Sequence, residues 1–292
     1  MGNQADGTLS LTGYDDIFNV GKIIDGERII EISIEELYPP DFHPFQVNDD
    51  AEMEKLVESV KQYGVREPGL ARPLADGGYE LLCGNRRKRA SELAGYAVMP
   101  VIIRELTDDE AAIVMVDSNL LNREKILLSE KAWAYRMKLE ALNHSGIKED
   151  MLSIDTLVNQ TGESKNQIYR LVRLTELIVT LLDKVDTRQI AFNPAVELSY
   201  LSLTEQTAVV EAMEQYDVKP SLSQAVSLKK RKQSGELIVE DIDRILSEKK
   251  KLPKNKPTGS DRFREFFPHS YSQEQMDAII IALLSEWKES SL

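Results

Sequence analysis

The stretch LLCGNRRKRA, residues 81–90, decides the fold of the N-terminal part of the chain. A strand-like apolar run ends at Cys83, Gly84 interrupts it, and a helix-like run with three arginines and a lysine follows at once. A glycine at this junction leaves backbone N–H groups pointing at an anion, and the helix dipole adds to the attraction. Arg86 and Arg87 would add charge-assisted donors for phosphate oxygens. The stretch therefore predicts a phosphate or nucleic-acid site, with a solvated basic turn as the alternative.

The composition limits the classes of protein to which the chain can belong. Its 292 residues exceed one typical compact core, so we expect two or three domains. No apolar run is long enough to span a bilayer, the N-terminus lacks the basic and apolar regions of a secretory signal, and the single cysteine cannot form an internal disulfide. These features favour a cytoplasmic protein with no membrane partner.

Charge is unevenly distributed along the sequence. The 49 acidic side chains outnumber the 36 Lys and Arg residues, and the formal net charge of −13 makes the chain a poor general binder of nucleic acid. Basic residues nevertheless cluster at 86–89, 165–173, 229–232 and 248–256. Nucleic acid, if it is a ligand, must therefore be held by local patches rather than by the overall field.

A mixed α and β pattern begins at residue 29, after a polar segment at 1–28 that is typical of a flexible arm. Strand-like runs are RIIEISI, PGLARPL, YELLCG and VMPVIIREL, and the ADGG between the second and the third predicts a hairpin. Helices are predicted for DDAEMEKLVESVKQYG, ending at Gly64, for NRRKRASELAGY, ending at Gly95, and for DDEAAIVMVDSNLL, which Thr107 and Glu110 cap.

Strand patterns fade after about residue 125, and helical patterns continue to about residue 230. SEKAWAYRMKLEALNHSG predicts a helix whose apolar stripe includes Trp133 and Met137. The Lys- and Pro-rich EKKKLPKNKPTGSD is typical of a linker. A final amphipathic helix is predicted for 272–288, with Ser272 as its N-cap.

The segment SIDTLVNQTGESKNQIYRLVRL has the layout of a helix-turn-helix. Two helices with apolar inner faces flank a turn at Thr161-Gly162, and Ser164 caps the second helix. The outer face of that helix carries side chains of the types that read base edges or hold phosphates, namely Lys165, Asn166, Gln167, Arg170 and Arg173. An ordinary helical hairpin with a solvated polar face is the alternative, and the local excess of positive charge favours DNA.

Four sequence boxes, taken in order, resemble the ParB/RepB partition-protein family. GNRRKRA is similar to its G-E-R-R-x-R-A box, and YGVREPGLARPL to its G-[IV]-x-x-P-[IL]-x-V-R segment. LYPPDFHPFQV resembles its proline-Phe-Gln segment, and DSNLLNREKILLSEKAWAY resembles its E-N-x-Q-R-x-D-L-x-P-x-E-x-A box. The helix-turn-helix follows at the expected point, so the resemblance covers about residues 29–230.

The resemblance implies that the N-terminal domain binds CTP with Mg²⁺ and that the helix-turn-helix binds a centromere-like site in double-stranded DNA. Nucleotide would close a homodimer into a clamp that slides on DNA, and slow CTP hydrolysis would reopen it. Carried over, the nucleotide-binding residues are Arg72, Gly84, Asn85, Arg86, Arg87, Asn119 and Arg123, with the metal at Asn119. The DNA-binding residues are Ser164, Lys165, Asn166, Gln167, Arg170 and Arg173.

The architecture that the resemblance implies is α+β. We expect a ParB/sulfiredoxin-like mixed domain at 29–124, an all-α helix-turn-helix domain at 125–235, and a linker with a C-terminal helical module at 236–292 that is a candidate for dimerisation. The implied function is DNA binding in the partition of a plasmid, chromosome or mobile element. Such a protein would associate with the nucleoid or plasmid in the cytoplasm and act with a ParA-type ATPase.

Three departures from the family boxes concern the nucleotide site. Asn85 stands where the family has Glu, which removes a negative charge beside the phosphates and bears on hydrolysis. Asn122 replaces the usual Gln, and the box DSNLLNRE is one residue longer than usual, which shifts the register of Asn119 and bears on metal placement. The acidic arm also lacks the arginine-bearing pattern with which family members stimulate the partner ATPase.

Two other classes of function remain open. One is a site-specific transcription regulator or nucleoid-occlusion relative, which needs no partner ATPase. The other is an enzyme on the same N-terminal fold, such as a nucleotide-dependent kinase, a nuclease or a sulfiredoxin with a catalytic cysteine. Cys83 precedes the glycine and no His follows it, so a small buried core residue is the favoured interpretation. His43, in the proline loop, is a candidate nucleotide contact, although a surface role is favoured. The KKRK at 229–232 is either a phosphate contact or a solvated helix end.

Overall fold

The computed structural model describes residues 27–122, 125–144, 152–247, 263–268 and 270–290. Within these ranges a mixed α/β part is followed by a part made of helices, which confirms the α+β fold class. Most of the expected arm at 1–28 and the expected linker after residue 247 lie outside the described residues. In the part of the chain that the structure covers, no helix is long and apolar enough to cross a membrane.

A five-stranded sheet forms the centre of the N-terminal part, as far as the described residues extend. Strands β3 and β4 make the hairpin predicted around ADGG, and β1 is antiparallel to β5. β3 runs parallel to β5, and β2, which has only two residues and no detectable sequence pattern, runs parallel to β4. The strands are β1 (Ile29–Ser33), β2 (Leu37–Tyr38), β3 (Gly69–Pro73), β4 (Tyr79–Cys83) and β5 (Val98–Ile103), in the spatial order β1-β5-β3-β4-β2.

Three helices pack around this sheet, and their predicted ends are confirmed. They are α1 (Ala51–Tyr63), α2 (Asn85–Ala94) and α3 (Asp108–Asn122). Asp50 accepts a hydrogen bond from Met53 N at 2.8 Å and so caps α1, while Thr107 and Glu110 form the expected capping box of α3. Side chains of α3 such as Val114 bury one face of the sheet, the face to which Leu82 and Ile102 belong.

The second part is built on one apolar core shared by eight helices of the described ranges. The inner faces predicted for the helix-turn-helix, Leu157 on α5 and Ile168 and Leu171 on α6, are buried in this core. The helices are α4 (Leu128–His144), α5 (Leu152–Thr161), α6 (Lys165–Arg173), α7 (Val179–Asp186), α8 (Phe192–Leu198), α9 (Leu203–Tyr216), α10 (Leu222–Gln233) and α11 (Val239–Ser247).

Helices α3 and α4 pack along each other and join the two parts. Phe45, from the proline-rich loop before α1, is buried between them against Val116 and Ala134. Gln46 N donates a hydrogen bond to Glu130 Oε1 at 2.8 Å, which ties the same loop to α4. The two parts are therefore connected through packed helices, and the domain boundaries proposed near residues 124 and 235 stay predictions.

The C-terminal helix α12 (Gln273–Ser290) begins where it was predicted. Gln275 N donates to Ser272 Oγ at 3.3 Å, so Ser272 is the N-cap. Met276 is buried, whereas Leu284 and Trp287 on the apolar face are exposed. Dimerisation through this helix stays a prediction.

Cys83 lies buried at the end of β4, and this burial predicts that its thiol reacts slowly in the native chain. Burial raises the pKa of its thiol to about 11, with Sγ 3.8 Å from Val114 O. At pH 8 the thiolate fraction is thus about 100-fold below that of an ordinary cysteine. We expect a thiol reagent to label the native chain at least about 100-fold more slowly than the urea-unfolded chain. Equal labelling rates in the two states would contradict this placement.

Candidate functional site

The polypeptide turns from β4 directly into α2 at Gly84. Gly84 has φ 104° and ψ 14°, a left-handed conformation that glycine adopts without steric cost. A Cβ atom here would lie 3.2 Å from the Cα of Gly69 on the neighbouring strand β3. No described side chain caps the start of α2, and the first N–H groups of a helix have no acceptor within it. The turn therefore has backbone donors and a positive dipole end available to an anion, and anion binding there stays a prediction.

Arg86 lies in the first turn of α2 and faces carboxylates at the start of α1. Its Nη2 is 3.3 Å from Asp50 Oδ1 and 3.8 Å from Glu52 Oε2. The hydrogen bond from Met53 N, together with the Arg86 charge, lowers the pKa of Asp50. Both ion pairs are long and involve largely exposed carboxylates, so a phosphate could replace them at small cost.

Arg87 is half-buried on the other side of the turn and is already fixed in place. Its Nη1 donates to Glu67 O and to Pro68 O, both at 2.6 Å, and burial lowers the pKa of its guanidinium. Arg87 also lines a pocket of about 410 Å³ between α1 and the segment 64–67. Leu56 and Val60 supply apolar walls. The volume lies in the usual range for small-molecule sites and is adjacent to the predicted phosphate seat.

Asn85, the first residue of α2, contacts His43 of the proline-rich loop. Asn85 Nδ2 donates to Leu81 O at 3.2 Å and lies 3.3 Å from His43 Nε2. His43 Nδ1 is 2.7 Å from Phe45 O, a contact that requires a proton on Nδ1 and leaves Nε2 as the acceptor for Asn85. His43 is half-buried here, and its contact with Asn85 spans 42 residues, so no local sequence pattern could reveal it.

Arg72 is not brought to the Gly84 turn by the described contacts. On β3 it pairs with Glu80, whereas Gly84 lies beside Gly69, about 10 Å further along the strand. Its guanidinium contacts Glu80 Oε2 at 2.5 Å and Asp108 Oδ1 at 2.7 Å. Burial acts to lower the pKa of Arg72, but these carboxylates outweigh it and raise the pKa. A nucleotide contact at Arg72 stays a prediction that would require these ion pairs to break.

The remaining predicted nucleotide residues are Asn119 and Arg123. Asn119 is half-buried on α3, where its Nδ2 donates to Met115 O at 2.8 Å, and Arg123 lies outside the described residues. Among the residues with described positions, no group of three or more His, Cys, Asp and Glu side chains could hold a metal ion. Mg²⁺ is usually held by one or two protein ligands together with substrate phosphates and water, so the metal role of Asn119 stays a prediction.

Helices α5 and α6 form the predicted helix-turn-helix geometry. Gly162 adopts φ 70° in the turn, and Gln167 N donates to Ser164 Oγ at 3.2 Å, which confirms the cap. Asn166 and Lys165 are exposed on the outer face of α6, although Lys165 Nζ also contacts Asp155 Oδ1 at 2.6 Å. The geometry satisfies both the DNA-binding interpretation and the plain helical hairpin.

The outer face of α6 also contains an aromatic residue that sequence analysis missed. Tyr169 is 58% exposed, one turn from Lys165 and from Arg173. Its ring and hydroxyl can contact a sugar or a phosphate. The helical spacing of 165, 169 and 173 was the signal that could have identified it.

Arg170 and Arg173 are engaged with helix α8 instead of pointing into solvent. Arg170 Nη2 donates to Asn193 Oδ1 at 2.5 Å, near the start of α8. Arg173 Nη2 donates to Ser199 O at 2.7 Å at its end, and the Arg173 guanidinium lies 4.3 Å from the centroid of the Tyr200 ring. These two arginines therefore brace α6 against α8, and base contacts by them stay predictions.

The basic run at 229–232 is mostly neutralised within the chain. Lys229 pairs with Glu197 at 2.9 Å, Arg231 with Asp241 at 3.1 Å, and Lys232 with Glu205 at 2.9 Å. This arrangement supports a paired helix end more than a phosphate contact.

Comparison with known proteins identifies related sequences for both parts. Residues 19–120 match the family model of the ParB N-terminal domain. A nucleoid occlusion protein of Listeria innocua is 27% identical over 240 residues, which cover 78% of this chain and 80% of the relative. A nucleoid occlusion protein of Halalkalibacterium halodurans is 28% identical over 235 residues, which cover 80% of this chain and 76% of that protein.

Two of the solved structures that match this chain are from Caulobacter crescentus. C-terminally truncated ParB complexed to the centromeric parS site gives a TM-score of 0.42 at 20% identity, covering 74% of this chain and 98% of that one. The same truncated protein complexed with CTP-gamma-S gives a TM-score of 0.31 at 22% identity, covering 64% and 99%.

The close packing at Gly84 predicts that a side chain at this position destabilises the fold. Gly84 and Gly95 are both left-handed, but a Cβ at Gly95 would meet no atom within 4 Å. We expect Gly95→Ala to lower the free energy of unfolding by about 1 kcal/mol, the cost of a left-handed alanine. Gly84→Ala should lower it by about 1 kcal/mol more, because the added methyl group presses on Gly69. Urea denaturation measures both variants, and equal losses would contradict the close approach of β3 to the turn.

Proposed function

We propose that this chain, which belongs over residues 19–120 to the ParB N-terminal domain family, is a site-specific DNA-binding protein controlled by a cytidine nucleotide. The observation that carries the proposal is the turn at Gly84, where backbone donors and two arginines meet at one helix start. The capped helix-turn-helix that follows in the same chain supplies the second binding element.

The residues around Gly84 are suited to a triphosphate. The left-handed glycine allows the first N–H groups of α2 to face one anion. Arg87 is fixed by two carbonyl groups, whereas Arg86 can exchange Asp50 for a phosphate oxygen. The pocket beside Arg87 has room for a nucleoside. That the nucleoside is cytidine follows from the family resemblance alone.

On the DNA side, the outer face of α6 is the proposed reading surface. Lys165, Asn166 and Gln167 lie in its first turn, the position from which a recognition helix contacts base edges. Tyr169 extends the surface by one turn. Arg170 and Arg173 keep α6 in position through α8.

The cellular role is proposed at two levels. The family supports DNA binding connected with partition, and the names of the relatives favour the alternative role of nucleoid occlusion. A homodimer, association with the nucleoid or plasmid, slow CTP hydrolysis and a ParA-type partner remain parts of the proposal. Co-purification of a ParA-type ATPase with the tagged chain from its own host would support partition, and its absence from such preparations would favour occlusion.

The rival function as a thiol enzyme on the same fold has weak support. A catalytic cysteine must be an accessible thiolate, whereas Cys83 is 3% exposed and its thiol has a raised pKa. A nucleotide-binding protein without thiol chemistry agrees better with this site.

Nucleotide binding can be tested with a matched pair of arginine variants. We expect isothermal titration of the full chain with CTP to give a clear binding signal, and Arg86→Ala to weaken it about 10- to 100-fold through the loss of a charged hydrogen bond. Arg89→Ala is the control, since Arg89 is on the same helix but pairs with Asp49 at 2.7 Å. The control should bind as wild type. No heat with CTP, ATP or GTP would refute the pocket.

Binding of DNA separates the two roles proposed for α6. Asn166→Ala or Gln167→Ala should weaken specific DNA binding by about 1–3 kcal/mol with stability unchanged, because each would remove a base contact. Arg173→Ala should instead lower the free energy of unfolding by about 1–3 kcal/mol, because Ser199 O loses its partner. Fluorescence anisotropy with specific and unrelated duplexes, alongside urea denaturation, measures both effects. The assignment is wrong if Arg173→Ala alters base preference while leaving stability intact.

A further inference from the structure

A charged side chain is completely buried where the two parts of the molecule meet. Lys138 on α4 has a side-chain exposure of 0%, and its Nζ donates to Asp117 Oδ1 on α3. The Asp117 side chain is 5% exposed. The same Nζ donates to Gln160 Oε1 on α5 at 2.6 Å. The ammonium group on α4 therefore contacts both α3 and α5.

These helices belong to the two proposed binding elements. α3 packs beneath β4, where Val114 lies against Cys83, and Cys83 immediately precedes the Gly84 turn. α5 is the first helix of the helix-turn-helix. A displacement of α3 relative to α5 cannot occur without breaking or moving the Lys138 contacts.

Burial of the Lys138–Asp117 ion pair costs free energy. Removing an ammonium and a carboxylate from water costs free energy that their attraction repays only in part, and apolar side chains of similar volume often pack there equally well or better. Burial accordingly lowers the pKa of Lys138. Apolar neighbours such as Ala141 and Leu142 show that the α3–α4 contact is otherwise an ordinary core. What the charged pair adds is one defined arrangement of donor and acceptors.

We propose that Lys138 is a positioning residue that sets the arrangement of α3 relative to α5 and thereby couples nucleotide occupancy to DNA binding. The inference rests on the proposed function, because it concerns how its two sites communicate. Lys138 touches neither ligand site and acts through Asp117 and Gln160.

The test uses variants that separate coupling from stability. Asp117→Leu/Lys138→Met replaces the pair by apolar groups of similar size, so neither charge is left buried alone. Lys131→Met/Glu163→Leu is the matched control, since Lys131 is also on α4 but its ion pair is with Glu163 in the turn after α5 and not with an α3 carboxylate. Gln160→Leu is a second variant that releases only the α5 side.

For each full-length protein, CTP affinity is measured by titration without DNA, DNA affinity is measured at zero and saturating CTP, and stability is measured in urea. We expect wild type and the Lys131 control to show a change in DNA affinity with CTP of about 5-fold or more. The Asp117/Lys138 variant should keep its stability, its CTP affinity without DNA and its DNA affinity without CTP. The change in its DNA affinity on addition of CTP should fall to less than about 2-fold. Gln160→Leu should reduce the change as well.

Two results would overturn the inference, and they have different meanings. If wild type responds to CTP and both the Asp117/Lys138 variant and Gln160→Leu respond equally, Lys138 is only a structural residue and the proposed function stands. If wild type binds DNA identically with and without CTP, the coupling does not exist and the proposed function fails with it.

Discussion

The close approach of two backbones at Gly84 is the constraint on which the rest of the site depends. The Cα of Gly69 leaves little space for a side chain on Gly84, and the left-handed turn allows β4 to end and α2 to begin without an intervening loop. As a result the start of α2 lies directly at the C-terminal end of β4, uncapped by any described side chain. Arg86 extends towards α1 and Arg87 towards the segment before β3, because successive side chains on a helix point about 100° apart.

An acidic chain can hold an anion here because some of its arginines are bound tightly by groups within the fold and others are not. Arg72 and Arg173 each donate to partners within the fold and contribute to its architecture. Arg86 faces carboxylates through long, exposed ion pairs that contribute little to stability. The net charge of −13 therefore says little about the local potential at α2 or α6, where the composition differs from that of the chain as a whole.

Features that depend on neighbours in sequence could be predicted, and features that depend on distant partners could not. The caps at Thr107, Ser164 and Ser272 and the hairpin around ADGG follow from local patterns, and each is present. Strand β2 was missed because two residues show no alternation.

Side-chain roles were harder to predict than elements. Arg173 was predicted to face DNA because helical spacing puts it on the outer side of α6, but its acceptor on Ser199 lies 26 residues away. The contact of His43 with Asn85 and the burial of Lys138 inside an apolar stripe likewise depend on the tertiary packing of separate segments. The nucleotide roles of Asn119 and Arg123 remain predictions from resemblance.

Under the proposed function, anion binding at Gly84 controls how the helix-turn-helix part of the same chain binds DNA. Footprinting of the full chain on its cognate DNA and the flanking sequence, with and without CTP, tests this claim most directly. We expect protection confined to the site without CTP and protection that extends into the flanks with CTP, and we expect Arg86→Ala to retain only the protection of the site. Identical footprints of the wild-type chain in both conditions would contradict it.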